Sequence, residues 1–573
     1  MISAQAGSVS GTTGRRAAVF GGFAWPWALL LSIMGGIAVF VSFPPLDAWP
    51  LAAVGPALLV VALTGRSLRG SACCGLAFGL ALFVPLLTWL LNVAWYAWGA
   101  LAGAEAVIFA LLAVGQRLLL RLPFWPAAVA GWWVVAEGFR DRWPFAFPWG
   151  RLAMSQSVAP DVRWVAVGGA PLLTFLVALT GAMLARALLY YLGGTIPPRP
   201  PLLLGGNLSP QTPSARPPKP PWPPWPPFAG TARLPVPSWL GPGLAAVVTA
   251  GLVLAGGLLP VDPTGGAPTA VVAAIQGNVP RARNLPQLLN DTEVTQNQAE
   301  ATLKLAASVK AGRAPEPDVV VWPEDAVGLD PSEYPTVYDE ILGTVDALGR
   351  PVLIGEVLEN PLRNAGQLWV PGRGATYPVY VKRQLVPWGE YIPFRSITSR
   401  ISSLTSLVPV DFTAGHNPVV FGVGPIRLGD VICYEVGFDN LVRSEVNAGA
   451  NLLALQSNDA DFELDNQLGE TEQQTAMARI RAIESDRSVV YAATTGESSI
   501  IAPDGTLVAS SGIWRQAILD ARVPLVTYRT LADRVGGWPE YVIVLLTLLA
   551  MAWGGAKAWG GRAARRREAA GSA

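Results

Sequence analysis

The chain has 573 residues, of which 51% are apolar and only 14% charged, with a mean hydropathy of +0.38. Soluble domains carry about 25% charged residues, so a wholly soluble globule, a disordered chain and a collagen-like chain are excluded. Forty-one Lys and Arg against forty Asp and Glu leave a net charge of +1, which offers nucleic acid no basic footprint.

Residues up to 260 are mostly apolar runs, and a helix crossing the hydrocarbon core needs about 20 such residues. Seven candidates occur, at 21–42, 50–64, 71–93, 96–116, 123–138, 164–192 and 239–260; the second and fifth are short, and an eighth covers 541–559. The first run follows Arg15 and Arg16 as a signal peptide would. Its apolar stretch is long and no clear small-residue cleavage site follows, so it should remain as an anchor.

Orientation follows from Lys and Arg in short loops. Arg15, Arg16, Arg66, Arg69, Arg117 and Arg121 fall on one side, together with Arg199, Arg216, Lys219, Arg233 and the terminal RAARRRE. The loop after the fifth helix opposes them with Arg140, Arg142, Arg151 and Arg163, but the majority places both termini inside. Residues 195–237 contain PPRPPLLL and PPKPPWPPWPPF, which favour polyproline II or disorder and cannot sustain a packed core. A semi-rigid cytoplasmic linker is expected there, with a proline-reading partner as its other use. The expected organisation is six membrane helices over 1–194, the linker, a seventh helix over 238–260, an outside domain over 261–537, an eighth helix over 538–559 and a basic cytoplasmic tail over 560–573.

From 261 onward short β-branched runs alternate with helical stretches. APTAVVAAIQGN, DVVVWPED, RPVLIGEV, IRLGDVICYE and NLLALQSND read as buried strands, and GETEQQTAMARIRAIESD as a helix between them. That alternation predicts an α/β domain. Polar residues directly after such strands are held rigidly at a cleft. Glu324 ends DVVVWPE, Lys382 lies in YVKRQLVPWGEY, and Cys433 ends IRLGDVIC. Taken singly, each has a plain reading, as a loop charge, a surface lysine and a small buried hydrophobe.

Their joint occurrence asks for more. Only Cys73, Cys74 and Cys433 are available, so no disulfide framework is expected, and with the lone His416 they make no zinc site. A nucleophilic cysteine needs a base or cation to form thiolate. His416 sits in the turn TAGHNPVVFG and is a poor partner, which leaves a carboxylate as base and a lysine to stabilise negative charge. Glu324, Lys382 and Cys433 are the favoured set.

VWPEDA, KRQLVPWGEYIP and VICYE resemble the Glu, Lys and Cys motifs of the carbon–nitrogen hydrolase (nitrilase) superfamily. Seven preceding membrane helices and one following, with AIQGNVP, FPWGRLAMSQ, SNDADF and MARIRAIESDR, resemble its apolipoprotein N-acyltransferase family. The chain departs from that family at Asp461, where tryptophan is usual, and near Leu285, where a tryptophan is missing.

The resemblance implies an αββα sandwich on the outer face of about eight membrane helices in the bacterial cytoplasmic (inner) membrane. It implies transfer of an acyl chain from a membrane phospholipid to the α-amine of a diacylglyceryl-cysteine lipoprotein, with no cofactor or metal. Glu324 would be the base, Lys382 the oxyanion partner and Cys433 the nucleophile carrying a thioester. Glu390 would orient Lys382 or the base, Tyr434 and Glu435 would support the nucleophile, and Trp149 and Trp388 would contact substrate. A membrane-anchored nitrilase-type amidase is the rival reading, and the FPWGRLAMSQ match speaks against it.

Overall fold

The computed structural model describes residues 23–191, 240–259, 266–280, 287–400, 405, 408–460, 462 and 469–571. The linker expected at 195–237, and Arg15, Arg16, Leu285 and Asp461, lie outside the described residues. Helices occupy all eight apolar runs. The first seven are α1 (Trp25–Val41), α2 (Leu51–Leu63), α3 (Leu68–Leu86), α4 (Trp95–Leu119), α5 (Trp125–Arg140), α6 (Val165–Tyr191) and α7 (Leu240–Leu258), and the eighth run opens the C-terminal helix. Among the described residues four helical stretches are long and apolar enough to cross a bilayer, at Leu68–Leu86, Trp95–Leu119, Val162–Tyr191 and Trp538–Lys557. This is a membrane protein.

The shorter helices have local causes. Pro44 and Pro45 follow α1 and Pro50 precedes α2, so neither helix can extend through that turn. Small residues then let the helices approach closely. A Cβ on Gly36 would lie 2.2 Å from the Phe78 carbonyl oxygen, and one on Gly75 2.3 Å from that of Phe109. Packing of α1 on α3, and of α3 on α4, therefore requires glycine at those positions.

The second half is a two-sheet sandwich. Its strands are β1 (Thr269–Gln276), β2 (Val319–Val321), β3 (Val352–Leu358), β4 (Arg363–Val370), β5 (Gly374–Ala375), β6 (Tyr380–Val381), β7 (Val420–Val423), β8 (Ile426–Ile432), β9 (Leu452–Ser457), β10 (Ser488–Ala493), β11 (Ser499–Ile501), β12 (Leu507–Ser510) and β13 (Ala517–Pro524). The first sheet runs β13-β1-β2-β3-β4-β5, with β6 also on β4, and the second runs β12-β11-β10-β9-β8-β7. Central pairs such as β1–β2 and β8–β9 are parallel, while the outer pairs β1–β13 and β7–β8 are antiparallel.

Helices cover both outer faces, which is why the central strands read as unbroken apolar runs. In β1, Ala270, Val272 and Ala274 face the second sheet, while Ala273 and Ile275 pack under α8 (Gln287–Lys310) and α9 (Pro335–Leu348). A short α10 (Arg395–Thr398) lies in the long connection to β7. On the far side α11 (Asp439–Asn447) and α12 (Glu470–Ser485) cover the second sheet, followed by α13 (Leu531–Val535) and the C-terminal α14 (Trp538–Gly571). One apolar cluster continues from Leu453, Tyr491 and Met477 of this layer into Phe83, Leu152 and Leu173 of the helical half. The αββα sandwich thus shares a core with the helices.

Loops between helices alternate in what they meet. Asn92, after α3, donates to the Phe462 carbonyl (2.6 Å), and the Ala146 carbonyl, after α5, accepts from Tyr434 (2.7 Å). Gln156 donates to the Trp49 carbonyl at 3.2 Å, which ties the α1–α2 loop to the same face. Arg163 caps the end of α7 through the Leu259 carbonyl (3.0 Å), and Glu540, in the first turn of α14, binds Arg142 (2.6 Å). The α2–α3 and α4–α5 ends instead meet each other, Arg117 donating to the Arg66 carbonyl at 2.7 Å.

Candidate active site

Glu324 sits three residues beyond the end of β2, in a turn fixed by Trp322, which is fully buried and donates to Thr302 at 2.9 Å. The β3 backbone presses against this turn. A Cβ on Gly355 would lie 2.2 Å from the Pro323 carbonyl oxygen. Glu324 Oε1 accepts from Lys382 Nζ (2.8 Å) and Asn364 Nδ2 (2.6 Å), and Oε2 accepts from the Asn458 backbone N–H (2.9 Å). Lys382 and Asn364 each donate a second bond, both at 3.0 Å, to Glu390 Oε1. Glu390 Oε2 accepts from the Val386 N–H at 2.7 Å, which anchors that second carboxylate. Two carboxylates, one ammonium and one amide thus form a closed buried ring.

Cys433 begins the 3-10 turn Cys433–Gly437 at the end of β8, with φ +49. The left-handed region costs a non-glycine residue about 1–3 kcal/mol and is held only where surrounding contacts over-determine it. Glu435 supplies those contacts. Its Oε2 accepts from the Ile432 N–H (2.8 Å) and the Tyr380 hydroxyl (2.6 Å), and Oε1 from the N–H groups of Arg383 (2.6 Å) and Gln384 (3.1 Å). It joins the cysteine turn to the lysine loop. Gln474, fully buried in α12, places Nε2 3.6 Å from Cys433 Sγ.

Charge follows from this packing. Burial works against the Lys382 ammonium, but Glu324 and Glu390 outweigh it and hold its pKa well above the ordinary lysine value. Burial and then the Glu324 charge push the Cys433 thiol well up, with Lys382 opposing. Burial, reinforced by Glu324, raises Asp325 to about 7. A thiol pushed up in this way is neutral near pH 7. Among the described residues no group of three or more His, Cys, Asp or Glu is arranged to hold a metal ion.

The turn rests on the helical half. Tyr434 stacks on Trp149 with ring centroids 5.6 Å apart and planes 14° from parallel. Trp89 packs on both Trp149 and Phe462. Arg481 donates to the carbonyls of Val436 (2.8 Å) and Gly437 (3.1 Å) and pairs with Asp439 (2.6 Å), which also binds Arg151 (2.9 Å) from the α5–α6 loop.

The family models divide the chain at the same place as the fold. Residues 35–183 match the apolipoprotein N-acyltransferase N-terminal domain, and residues 271–533 match carbon-nitrogen hydrolase. An apolipoprotein N-acyltransferase of Mycolicibacterium smegmatis is 34% identical over 540 residues, covering 90% of this chain and 83% of that protein. The chain belongs to the apolipoprotein N-acyltransferase family. The family's Azotobacter vinelandii protein is 27% identical, over 91% of this chain and 94% of its own length. Among solved structures, the amidase of Nesterenkonia sp. AN1 is 18% identical, covering 44% of this chain and 90% of that one at a TM-score of 0.34.

Within this family member, the structure brings Glu324, Lys382 and Glu390 into one ring, and Cys433 close enough for the charges of Glu324 and Lys382 to act on its thiol. Tyr434 and Glu435 point away from the sulfur, toward Ala146 and the lysine loop respectively. Trp149 is buried at 3% exposure, whereas Trp388 is exposed at 43% and adopts φ +67. His416 is exposed on the loop before β7. Asn364, Asn458 and Gln474 join the site only in the folded structure. Asn458 lies inside the SNDADF motif, but Asn364 and Gln474 are single amides in a strand and a helix and carry no local signal.

Glu435 gives a stability prediction. Alanine there strands four donors, and each unsatisfied buried group costs about 1–3 kcal/mol. Glu435→Ala is expected to lower the unfolding temperature of the purified protein sharply, with Glu435→Gln intermediate. An unchanged melt for alanine would disprove this anchoring.

Proposed function

We propose that the enzyme acylates diacylglyceryl-cysteine apolipoproteins through a thioester on Cys433, with a phospholipid as donor. Glu324 takes the thiol proton while the sulfur attacks the ester carbonyl. Lys382 faces the oxyanion of the tetrahedral adduct. The adduct collapses by breaking the ester C–O bond, and Glu324 returns its proton to the departing lysophospholipid oxygen. In the second half the lipoprotein amine attacks the thioester and loses a proton to Glu324. The C–S bond breaks, the amide departs, and the proton returns to Cys433. Glu390 and Asn364 hold Lys382 and Glu324 in register throughout.

The observation carrying this reading is the direct Glu324–Lys382 pair at 2.8 Å, both residues being buried beside a cysteine held at positive φ. Its test is mass spectrometry of a lipoprotein N-terminus from cells with and without the protein. Loss of the amide-linked chain on deletion is expected, and an unchanged N-terminus would overturn the reading.

We further propose that all eight apolar helices cross the bacterial cytoplasmic membrane, with both termini inside and the sandwich outside. Separation of the loops into a sandwich-facing set and an opposite, Arg66- and Arg117-bearing set supports this orientation. The linker at 195–237 then joins α6 to α7 in the cytoplasm. An impermeant maleimide should label Glu300→Cys on exposed α8 in cells whose inner membrane is intact. Labelling only after that membrane is broken would reverse the orientation.

A further inference from the structure

Cys433 touches one neutral polar side chain that the scheme above leaves idle. Gln474 Nε2 stands 3.6 Å from Sγ, a normal separation for an N–H donor to the larger sulfur atom. Its other amide atom is fixed. The Tyr491 hydroxyl donates to Gln474 Oε1, so the N–H end is the one turned to the cysteine. Tyr491 and Gln474 are both fully buried.

The chain continues beyond the tyrosine. Asp459 Oδ2 lies 3.2 Å from the same hydroxyl, and Asp459 is itself held by Ser457 at 2.6 Å. The phenol proton lies within reach of both Gln474 Oε1 and Asp459 Oδ2, and Asp459 Oδ2 also accepts from the Thr471 hydroxyl at 3.4 Å. Burial raises the Asp459 carboxyl to about 6, against the hydrogen bonds it accepts from Ser457, Tyr491 and Thr471. Gly496 closes the far side, because a Cβ there would lie 1.9 Å from Asp459 Oδ2.

We infer that Gln474, aimed by Tyr491 and Asp459, is a catalytic hydrogen-bond donor to the Cys433 sulfur whenever that sulfur carries negative charge. Sulfur is a weak acceptor as a thiol and a strong one as a thiolate, so the bond strengthens as charge develops. That happens twice, when the thiol loses its proton before attack and when the thiolate leaves the thioester. The inference rests on Cys433 being the nucleophile. The charged groups acting on the sulfur are Glu324 after β2, Lys382 after β6, Asp459 after β9 and Glu470 at the start of α12. Only Lys382 among them favours thiolate, so a neutral donor fills a real need.

The test is iodoacetamide alkylation of the full-length protein in nanodiscs, read by mass on the peptide containing Cys433 across pH. Gln474→Met keeps length without the donor. Its alkylation at a given pH should fall about tenfold, with acyl transfer falling at least as far. Tyr491→Phe, which removes one oxygen, should shift the profile the same way but less. The double variant should be no worse than Gln474→Met alone, since both act through one bond. An unmoved profile in Gln474→Met, or losses that multiply in the double variant, would overturn the inference. If Gln474→Met does not accumulate, an unmoved profile in Tyr491→Phe alone does so. Cys433→Ala separates the two levels, because transfer persisting in that variant would sink the thioester reading itself.

Discussion

Glu324→Gln is expected to slow acyl-enzyme formation by about 10²–10⁴-fold, the usual contribution of a positioned general base, while His416→Ala leaves the rate unchanged. Glutamine nearly matches glutamate in shape but cannot take the thiol proton. It also cannot satisfy the ring. Glu324 accepts from Asn364 and Lys382 on one oxygen and from the Asn458 N–H on the other, so either amide orientation sets an NH2 against a donor. Without the base, attack depends on thiolate already present. Burial holds the Cys433 thiol well above its ordinary pKa, so thiolate is scarce at neutral pH and grows as pH rises. Residual activity of Glu324→Gln should therefore climb by about tenfold per pH unit below the thiol's pKa, because only the thiolate attacks. His416 is exposed on its loop, and the Glu324 carboxylate is bonded instead to Asn364, Lys382 and the Asn458 N–H. If the histidine variant were the inactive one, a Cys–His mechanism would replace this one.

How far the sequence discloses this site depends on how local each constraint is. Strand ends can be read locally, since a run such as DVVVWPE or IRLGDVIC marks both the strand and the residue that leaves it. Glu324 and Cys433 stand where that pattern puts them. Helix positions are equally legible, because apolar length is a property of the run itself. Length is less so, since Pro44 and Pro45 follow α1 and Pro50 precedes α2, leaving helices of 17 and 13 residues where the apolar runs are longer. Asn364 is different. It lies in β4, 18 residues before Lys382 and 40 after Glu324, and only the β3–β4 and β4–β6 pairings bring it to both. Gln474 is likewise one amide in a polar helix start until α12 packs on the cysteine turn. Trp149 reads from sequence as an outside-loop residue and is in fact buried between Phe147 and Tyr434, because that loop is the floor on which the turn rests. Contacts between the two halves have no sequence period to announce them.

Phospholipid alone is expected to charge Cys433 with one acyl group, seen as a hydroxylamine-sensitive mass increase on its peptide and lost in Cys433→Ala. Donor and acceptor are both bulky lipids, and both must reach the same sulfur beside Glu324. The sulfur is nearly enclosed, Cys433 being 8% exposed, so the two cannot react from it together. The acyl group must then wait on the enzyme, and ping-pong kinetics follow. Enclosure also protects the intermediate, since water kept from the thioester cannot hydrolyse it. Cys433→Ser should form little adduct and turn over far more slowly. A hydroxyl is a weaker nucleophile than a thiol, and the serine ester would be a poorer acyl donor to an amine. Parallel initial-rate lines should appear when phospholipid and lipoprotein are varied together. Intersecting lines with no adduct on Cys433 would mean direct transfer in a ternary complex. Two lipids would then have to meet at the sulfur of a residue only 8% exposed.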